Sequence, residues 1–241
     1  MKKLIFVLLF PTPLIGIAQL VTRTEEFWPE AKIYYKFNDK FRLYGHLSAT
    51  RENTSYSEGA IGLFLDYFTY PFAKFIRQHH NEELSKRYLW FRFGYQYSMS
   101  PPEIDNPFKE SMLVTEMNGR YNLPWDILMT AKNRFDWRFK DDGFSVRYRP
   151  RIDFEKDLHT EFLFFTPYLH VEYFVNFGNS SIDKFRTQLG LEFKVSRTVI
   201  FENYWNHQFA NSPYVSDVDA YGITVKLYFV KHGRKKQREN N

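Results

Sequence analysis

The chain of 241 residues has no cysteine, and it has no apolar run long enough to cross a bilayer as a helix. Without a thiol, neither a disulfide framework nor a lipoprotein anchor can form. The apolar run at residues 4–10 is followed at once by Pro11 and Pro13, whereas a helical span needs about 20 apolar residues. A helical membrane protein is therefore excluded. A membrane β-barrel is not, because lipid-facing residues alternate with lumen-facing residues along its strands.

The first residues have the order of a secretory signal peptide. Lys2 and Lys3 form a positive segment ahead of the apolar run, and Gly16 with Ala18 forms a small-x-small pair. This order is typical of a signal that is cleaved after Ala18 and directs export across the inner membrane. The predicted division of the chain is a signal peptide (1–18), a β-barrel (19–230) and a basic, disordered tail (231–241).

The formal net charge of +5 comes from the two ends of the chain. The signal segment carries two lysines, and cations dominate the tail, which contains Lys231, Arg234, Lys235, Lys236 and Arg238 against Glu239. These end charges account for the whole excess, so the body of the protein is close to neutral. A nucleic-acid partner, which would require a basic face, is therefore excluded.

Apolar and polar residues alternate with a period of two through most of the chain. In residues 221–229, Tyr, Ile, Val, Leu and Phe share one face, while Gly, Thr, Lys and Tyr share the other. Such alternation indicates β-strands that have one apolar and one polar face. Eleven strands are predicted: 27–37, 41–52, 58–70, 89–97, 109–121, 126–139, 143–155, 161–176, 185–195, 199–210 and 221–229.

Short joints alternate with longer loops between these strands, as in outer-membrane meanders. Because single-chain bacterial barrels have even strand numbers, we predict an all-β, transmembrane, up-and-down antiparallel β-barrel of ten to twelve strands, with twelve favoured. Residues 71–86 break the alternation of joints and are compatible with a short amphipathic helix or a further strand. Pro150 and Pro167 fall inside predicted strands, and we expect bulges there because proline donates no ladder hydrogen bond.

The polar rows are rich in arginine, which a solvated face does not need. Charges in a narrow lumen, in contrast, must be paired and hydrogen-bonded to offset their desolvation. The 17 Tyr and 26 Phe residues would overfill a soluble core, but they suit a lipid-facing band with aromatic girdles. We therefore predict a lumen ion-pair network made of Arg92, Glu116, Arg120, Arg134, Asp136, Arg138, Arg147, Arg149, Arg151, Asp153, Glu155, Glu172, Arg186 and Glu192.

The last strand resembles the assembly signal of outer-membrane proteins, in which a polar residue is followed three positions later by glycine and then by alternating apolar residues. The matching positions are Asp219, Gly222, Val225, Leu227 and Phe229. The resemblance implies two partners, the barrel-assembly machinery during biogenesis and the lipid of the outer membrane. The tail beyond Val230 departs from the pattern, since many such proteins end at the aromatic residue.

The order of motifs from Trp28 to Phe229 resembles that of an uncharacterised family of Gram-negative outer-membrane β-barrels, domain of unknown function 2490. The motifs are Trp28, Asp39-Lys40-Phe41-Arg42-Leu43, Arg51, Asn133-Arg134-Phe135-Asp136-Trp137-Arg138-Phe139, Arg147-Tyr148-Arg149, Arg151, Pro167-Tyr168, Glu172, Phe174, Asn176, Arg186, Gly190, Tyr204 and Gln208. The resemblance implies an outer-membrane barrel, and it supplies neither a substrate nor catalytic residues.

Candidate catalytic residues are few. An outer-membrane lipid hydrolase needs a serine nucleophile beside a histidine that an asparagine or a carboxylate orients. His207 with Asn203 and Ser212 is the one candidate cluster, and it lacks the compact His-x-Ser-Asn-Gly arrangement of the outer-membrane phospholipase. His79 and His80 are adjacent and would point apart on a strand, so we predict no metal site, and no cofactor motif is present.

Three functions follow from these patterns. The favoured one is an outer-membrane barrel that is narrow or plugged by side chains, with a structural, interaction or small-solute channel role. About eight strands give a filled barrel and about sixteen leave a water channel, so ten to twelve lie nearer the filled limit. The alternatives are an outer-membrane lipid hydrolase, of the phospholipase or lipid A deacylase type, and a soluble periplasmic lipid-binding barrel.

Overall fold

The computed structural model describes residues 23–52, 55–69, 88–103, 107–141, 143–159, 164–177, 181–210 and 217–231. The predicted signal peptide, the segment 71–86, Ser212 and all of the basic tail except Lys231 lie outside the described residues. Among the residues described, no helix is long and apolar enough to cross a bilayer.

The described chain is all-β, apart from one 3-10 turn at Pro124–Asp126. Three predicted strands, 41–52, 143–155 and 199–210, have the bounds that the structure shows. The strands are β1 (Arg23–Lys36), β2 (Phe41–Glu52), β3 (Ser55–Thr69), β4 (Leu89–Met99), β5 (Lys109–Leu123), β6 (Ile127–Lys140), β7 (Gly143–Glu155), β8 (Leu158–His159), β9 (Phe164–Asn176), β10 (Ser181–Lys194), β11 (Val199–Ala210) and β12 (Asp217–Val230).

Eleven of the twelve strands form a closed wall in which each strand pairs with its neighbours in the chain. The two-residue β8, which was not predicted, continues the pairing of β7 along β9. The up-and-down barrel is therefore confirmed. The number of wall strands is odd, however, whereas the sequence argument assumed an even number. In a meander with an odd number of strands, the first and last strands run in the same direction and therefore pair in parallel. β1 and β12 pair in this way from Arg23↔Asp217 to Lys36↔Val230, and the other strand pairs are antiparallel.

The two prolines do not produce bulges, and that expectation is wrong. The register between β7 and β9 is the same at Tyr148↔Val175 and Arg151↔Glu172, with pairs omitted around Pro150. Glu155↔Tyr168 and Leu158↔Phe165 keep that register across Pro167. A proline lacks only one donor, so the ladder loses a local pair without inserting a residue. Register shifts occur instead between Thr50 and Arg51, and between Ile182 and Lys184.

The barrel is inside out compared with a soluble protein. Thirty large apolar side chains are exposed on the described surface, including Leu63, Phe93, Leu113 and Leu189 at half exposure or more. The residues with no solvent exposure are mostly polar: Asp66, Asn118, Asp136, Asn206, Thr224 and one alanine, Ala220. A soluble lipid-binding barrel needs the opposite arrangement, with an apolar interior. The fold therefore does not fit the soluble lipid-binding alternative.

Candidate functional site

The lumen is lined by charged side chains that the inward faces of the strands bring together. Because side chains alternate along a strand, Arg134 and Asp136 of β6 point the same way, as do Arg147 and Arg149 of β7. The two strands form one hairpin, in which Arg134 lies opposite Arg149 and Asp136 lies opposite Arg147. Local sequence therefore concentrates three arginines around one aspartate.

Asp136 is the centre of this hairpin cluster, and its side chain has no solvent exposure. Its carboxylate accepts hydrogen bonds from Nε of Arg134 at 2.5 Å and from Nη2 of Arg147 at 2.8 Å. Nη1 of Arg149 lies 3.5 Å from the same carboxylate. A buried carboxylate is costly to desolvate, and three surrounding guanidinium groups offset that cost.

Glu172 of β9 extends the cluster around the wall. Arg149 donates to both oxygens of this carboxylate, from Nε at 3.0 Å and from Nη2 at 3.1 Å, in the bidentate geometry of strong ion pairs. Nη1 of Arg186 lies 3.6 Å from the carboxylate. The ring of Phe174 lies 4.6 Å from the guanidinium carbon of Arg149 and 4.8 Å from that of Arg186, so it supports both cations.

A second cluster is centred on Asp66, and of its three charged residues the predicted network contains only Arg92. The fully buried Asp66 carboxylate lies 2.7 Å from Nη2 of Arg42 and 2.7 Å from Nε of Arg92. The guanidinium carbon of Arg92 also lies 4.1 Å from the ring centroid of Tyr44. Register would have found this cluster, since Asp66 lies directly opposite Arg42 on β2 and Arg92 on β4.

Further ion pairs lie on both sides of the parallel seam, among β10, β11 and β12 on one side and within β1 on the other. Nζ of Lys226 lies 2.5 Å from a carboxylate oxygen of Glu192 and 2.9 Å from one of Glu202. Nζ of Lys32 lies 2.6 Å from Glu30 on the same strand. Of these five residues only Glu192 was predicted.

Twelve of the fourteen residues predicted for the lumen network form at least one ion pair in the structure. The pairs not yet described include Arg138 with Glu110 at 2.6 Å, Arg151 with Asp153 at 2.7 Å and Arg92 with Glu116 at 3.9 Å. The other two, Arg120 and Glu155, have no ion pair among the described residues. All these side chains leave a central cavity of about 440 Å³. The functional role of the network remains a prediction.

A family model described as protein of unknown function (DUF2490) matches residues 25–218. The chain belongs to this family. The resemblance drawn from the motifs is thus confirmed, and the match includes every lumen cluster above apart from Lys226. No curated protein and no solved structure gives a match.

In this DUF2490 barrel two of the three candidate catalytic residues, His207 and Asn203, are among the described residues. His207 lies on the outer wall, where Nδ1 is 2.6 Å from the carboxylate of Asp219 on β12. Asn203 is four residues away on the same strand, roughly 13 Å at the usual strand rise, so it does not orient His207. Ser212 is outside the described residues, and no serine among those described contacts the imidazole. Asp219, which register places opposite His207, is the partner that the sequence reading missed.

The predicted assembly-signal residues of the DUF2490 chain lie on both faces of β12. Asp219 contacts His207 and Arg23 on the outer wall. Gly222 faces inward, where the ring of Tyr204 lies against its backbone. Val225, Leu227 and Phe229 follow on the outer face. Their part in assembly is not visible in a folded barrel and remains a prediction.

No group of three or more metal-binding side chains occurs in the described part of the chain. His170 lies 3.6 Å from Asp153, and His46 lies 3.9 Å from Glu30. Each histidine is therefore placed within a lumen cluster as a neighbour of one carboxylate. The adjacent His79 and His80 fall outside the described residues.

Proposed function

We propose that this DUF2490 protein works in the outer membrane of a Gram-negative cell as a narrow barrel whose lumen is largely filled by paired charges. The observation that carries the proposal is the apolar outer wall around a charged interior. Apolar surface in water costs about 25 cal/mol per Å², and soluble monomers rarely expose apolar patches beyond a few hundred Å². Lipid removes that cost.

Closure of the wall supports the same location. A bilayer has no water to satisfy free backbone groups, so a sheet can cross it only as a closed barrel. Exposed aromatic rings also occur at both ends of the strands, as expected for interfacial girdles. One end has Phe37, Trp125 and Phe229, and the other has Tyr56, Phe144 and Phe177.

The width of the wall supports a narrow lumen. Eleven strands lie between the eight that side chains fill and the sixteen that leave a water channel. The remaining interior space of about 440 Å³ is crossed by ion pairs and is lined by more charged than apolar residues. An open, unselective porin does not fit these dimensions.

The location is tested by fractionating cells that express the full chain and by comparing unheated and boiled samples on a denaturing gel. We expect the protein in the outer-membrane fraction, with faster migration before boiling because the closed wall resists detergent.

A matched pair of variants tests the outer face. Leu63→Arg, at the middle of β3, should lower the folded fraction more than Tyr56→Arg at the rim, since a cation at mid-bilayer costs about 2–4 kcal/mol. Recovery as a soluble protein without detergent would contradict the location.

The width is tested by planar-bilayer recording of the refolded barrel. We expect no large, unselective conductance from the wild-type protein. The double variant Arg149→Ser/Glu172→Ser removes a bidentate pair from the lumen and should raise the conductance several-fold. Lys36→Ser/Asp39→Ser, which removes a pair at an exposed turn, is the matched control and should leave it unchanged. Porin-sized steps from the wild type would refute the narrow lumen.

A further inference from the structure

Two of the sixteen acidic, lysine and arginine side chains that line the lumen cavity have no ion pair among the described residues. They are Arg120 of β5 and Glu155 of β7. Every other lysine, arginine, aspartate or glutamate of the lining lies within 4.0 Å of an opposite charge. The other charged side chains of the lining are paired, so one cation and one carboxylate without an ion pair line the same cavity.

The Arg120 end of the cavity also holds a second unused donor. The guanidinium carbon of Arg120 lies 4.8 Å from the ring centroid of Trp90, so the two side chains stack. Nε of Arg120 and Nε1 of Trp90 are both shielded from solvent, and neither has a hydrogen-bond partner among the residues that the structure describes. Trp90 itself is only 5% exposed. Buried donors without acceptors cost about 1–3 kcal/mol each, and an oxyanion recovers that cost where a change of the Arg120 rotamer opens both donors to the cavity.

Glu155 supplies the opposite half of the site. The register places Arg120 opposite Thr130 and Glu155 opposite Leu128 on the intervening strand β6. Two strand spacings and two residues of rise separate their Cα atoms by roughly 12 Å. Both side chains line the same cavity, and no ion pair of 4.0 Å or less joins their charged ends.

We propose that this end of the cavity binds a small zwitterionic solute such as an amino acid or a short peptide. Its carboxylate binds Arg120 and the indole N–H of Trp90, and its ammonium group binds Glu155. The cavity of about 440 Å³ has the size of a small-ligand pocket. A simple anion would leave Glu155 unpaired and would be repelled by it. A simple cation would leave Arg120 unpaired and would be repelled by it. A ligand that carries both charges satisfies both residues.

The proposal goes beyond a role for the barrel in the membrane, and it rests on the interior alone. It is tested on the full chain refolded in detergent, with folding of each variant verified by heat-dependent gel mobility. Calorimetric titration uses three probes: L-alanyl-L-alanine, its N-acetyl form, which lacks the ammonium group, and its C-terminal amide, which lacks the carboxylate. We expect the free dipeptide to bind at least tenfold more tightly than either capped form.

Three variants assign the halves of the site. Arg120→Gln should weaken dipeptide binding about tenfold, and so should Glu155→Gln. Of these two variants, only Arg120→Gln should weaken binding of the N-acetyl form, because that ligand keeps the carboxylate. Trp90→Phe keeps the ring, removes the N–H and should weaken both ligands that carry a carboxylate. Lys40→Gln, at an exposed turn, is the matched control and should change nothing.

Three results would overturn the proposal. Equal affinity for the free and capped dipeptides would show that the two charges are not read together. Tighter binding in Glu155→Gln would show a site for anions only. No binding of any probe to the verified, folded barrel would show that the two charges are satisfied by water. None of these results bears on the location of the barrel, which fractionation tests separately.

Discussion

Replacing Asp136 by Ala should lower the free energy of unfolding by roughly 3–5 kcal/mol, which is the cost of leaving a buried ionic group without its partner. Arg134 and Arg147 have Asp136 as their ion-pair partner, and Arg149 lies at 3.5 Å from it. Without the carboxylate, three guanidinium groups face one another inside the barrel. The expected result is a clearly lower urea midpoint for the refolded protein, measured by tryptophan fluorescence and gel mobility.

Asp39→Ala is the control for this change. Asp39 pairs with Lys36 at 2.6 Å, but its side chain is 74% exposed and lies in the β1–β2 turn. Exposed pairs contribute little, so the midpoint should hardly move. Asp136→Asn adds a second comparison, because it keeps the shape of the side chain and removes only the charge. It should lie between the wild type and Asp136→Ala. Equal midpoints for Asp39→Ala and Asp136→Ala would contradict the buried cluster.

Gly222→Ala should destabilise the barrel by roughly 1–3 kcal/mol, the usual range for overpacking. A Cβ atom built at Gly222 would lie 1.8 Å from Cζ of Tyr204, whose ring covers the glycine across the β11–β12 pair. The ring would have to swing away, and Tyr204 would lose the hydrogen bond that its hydroxyl donates to Glu30 at 3.2 Å. We expect a lower urea midpoint on refolding in detergent.

Gly119→Ala is the matched control, because a Cβ atom there meets nothing within 4 Å. The double variant Gly222→Ala/Tyr204→Leu separates packing from recognition. If the ring is the cause, the double variant should be more stable than the sum of the two single losses predicts. If Gly222 acts only in the assembly signal, Gly222→Ala should refold normally in detergent and fail only in cells. That outcome would refute the packing explanation.

Local pattern was sufficient to predict most of the wall. Residues 143–155 alternate between inward charges and outward apolar residues, and residues 199–210 alternate inward polar and outward side chains, so a period of two fixes both the strand and its faces. The arginines of the β6–β7 hairpin were found for the same reason, since a short joint makes neighbours in sequence into neighbours in space. Turns and strands set by adjacent residues are readable without knowledge of the rest of the chain.

Pairings between distant segments were not readable in this way. The parallel seam joins Lys32 and Lys226 across almost the whole chain, and only closure of the wall decides it. The Asp66 cluster and the His207–Asp219 contact lie between consecutive strands, and they were missed because the prediction assigned no register to those pairs. Pro150 and Pro167 keep the register of their strands with both neighbouring strands, which the local sequence could not show.

The sequence by itself determined that this protein is a β-barrel with one apolar and one charged face, because side-chain alternation is a local property of the backbone. The tertiary structure decided the odd number of wall strands, the parallel closure and the partner of each buried charge. Those features depend on how many strands complete the circle and with what register, which is a property of the whole sheet. It also left Arg120 and Glu155 as the lining charges without an ion pair among the described residues.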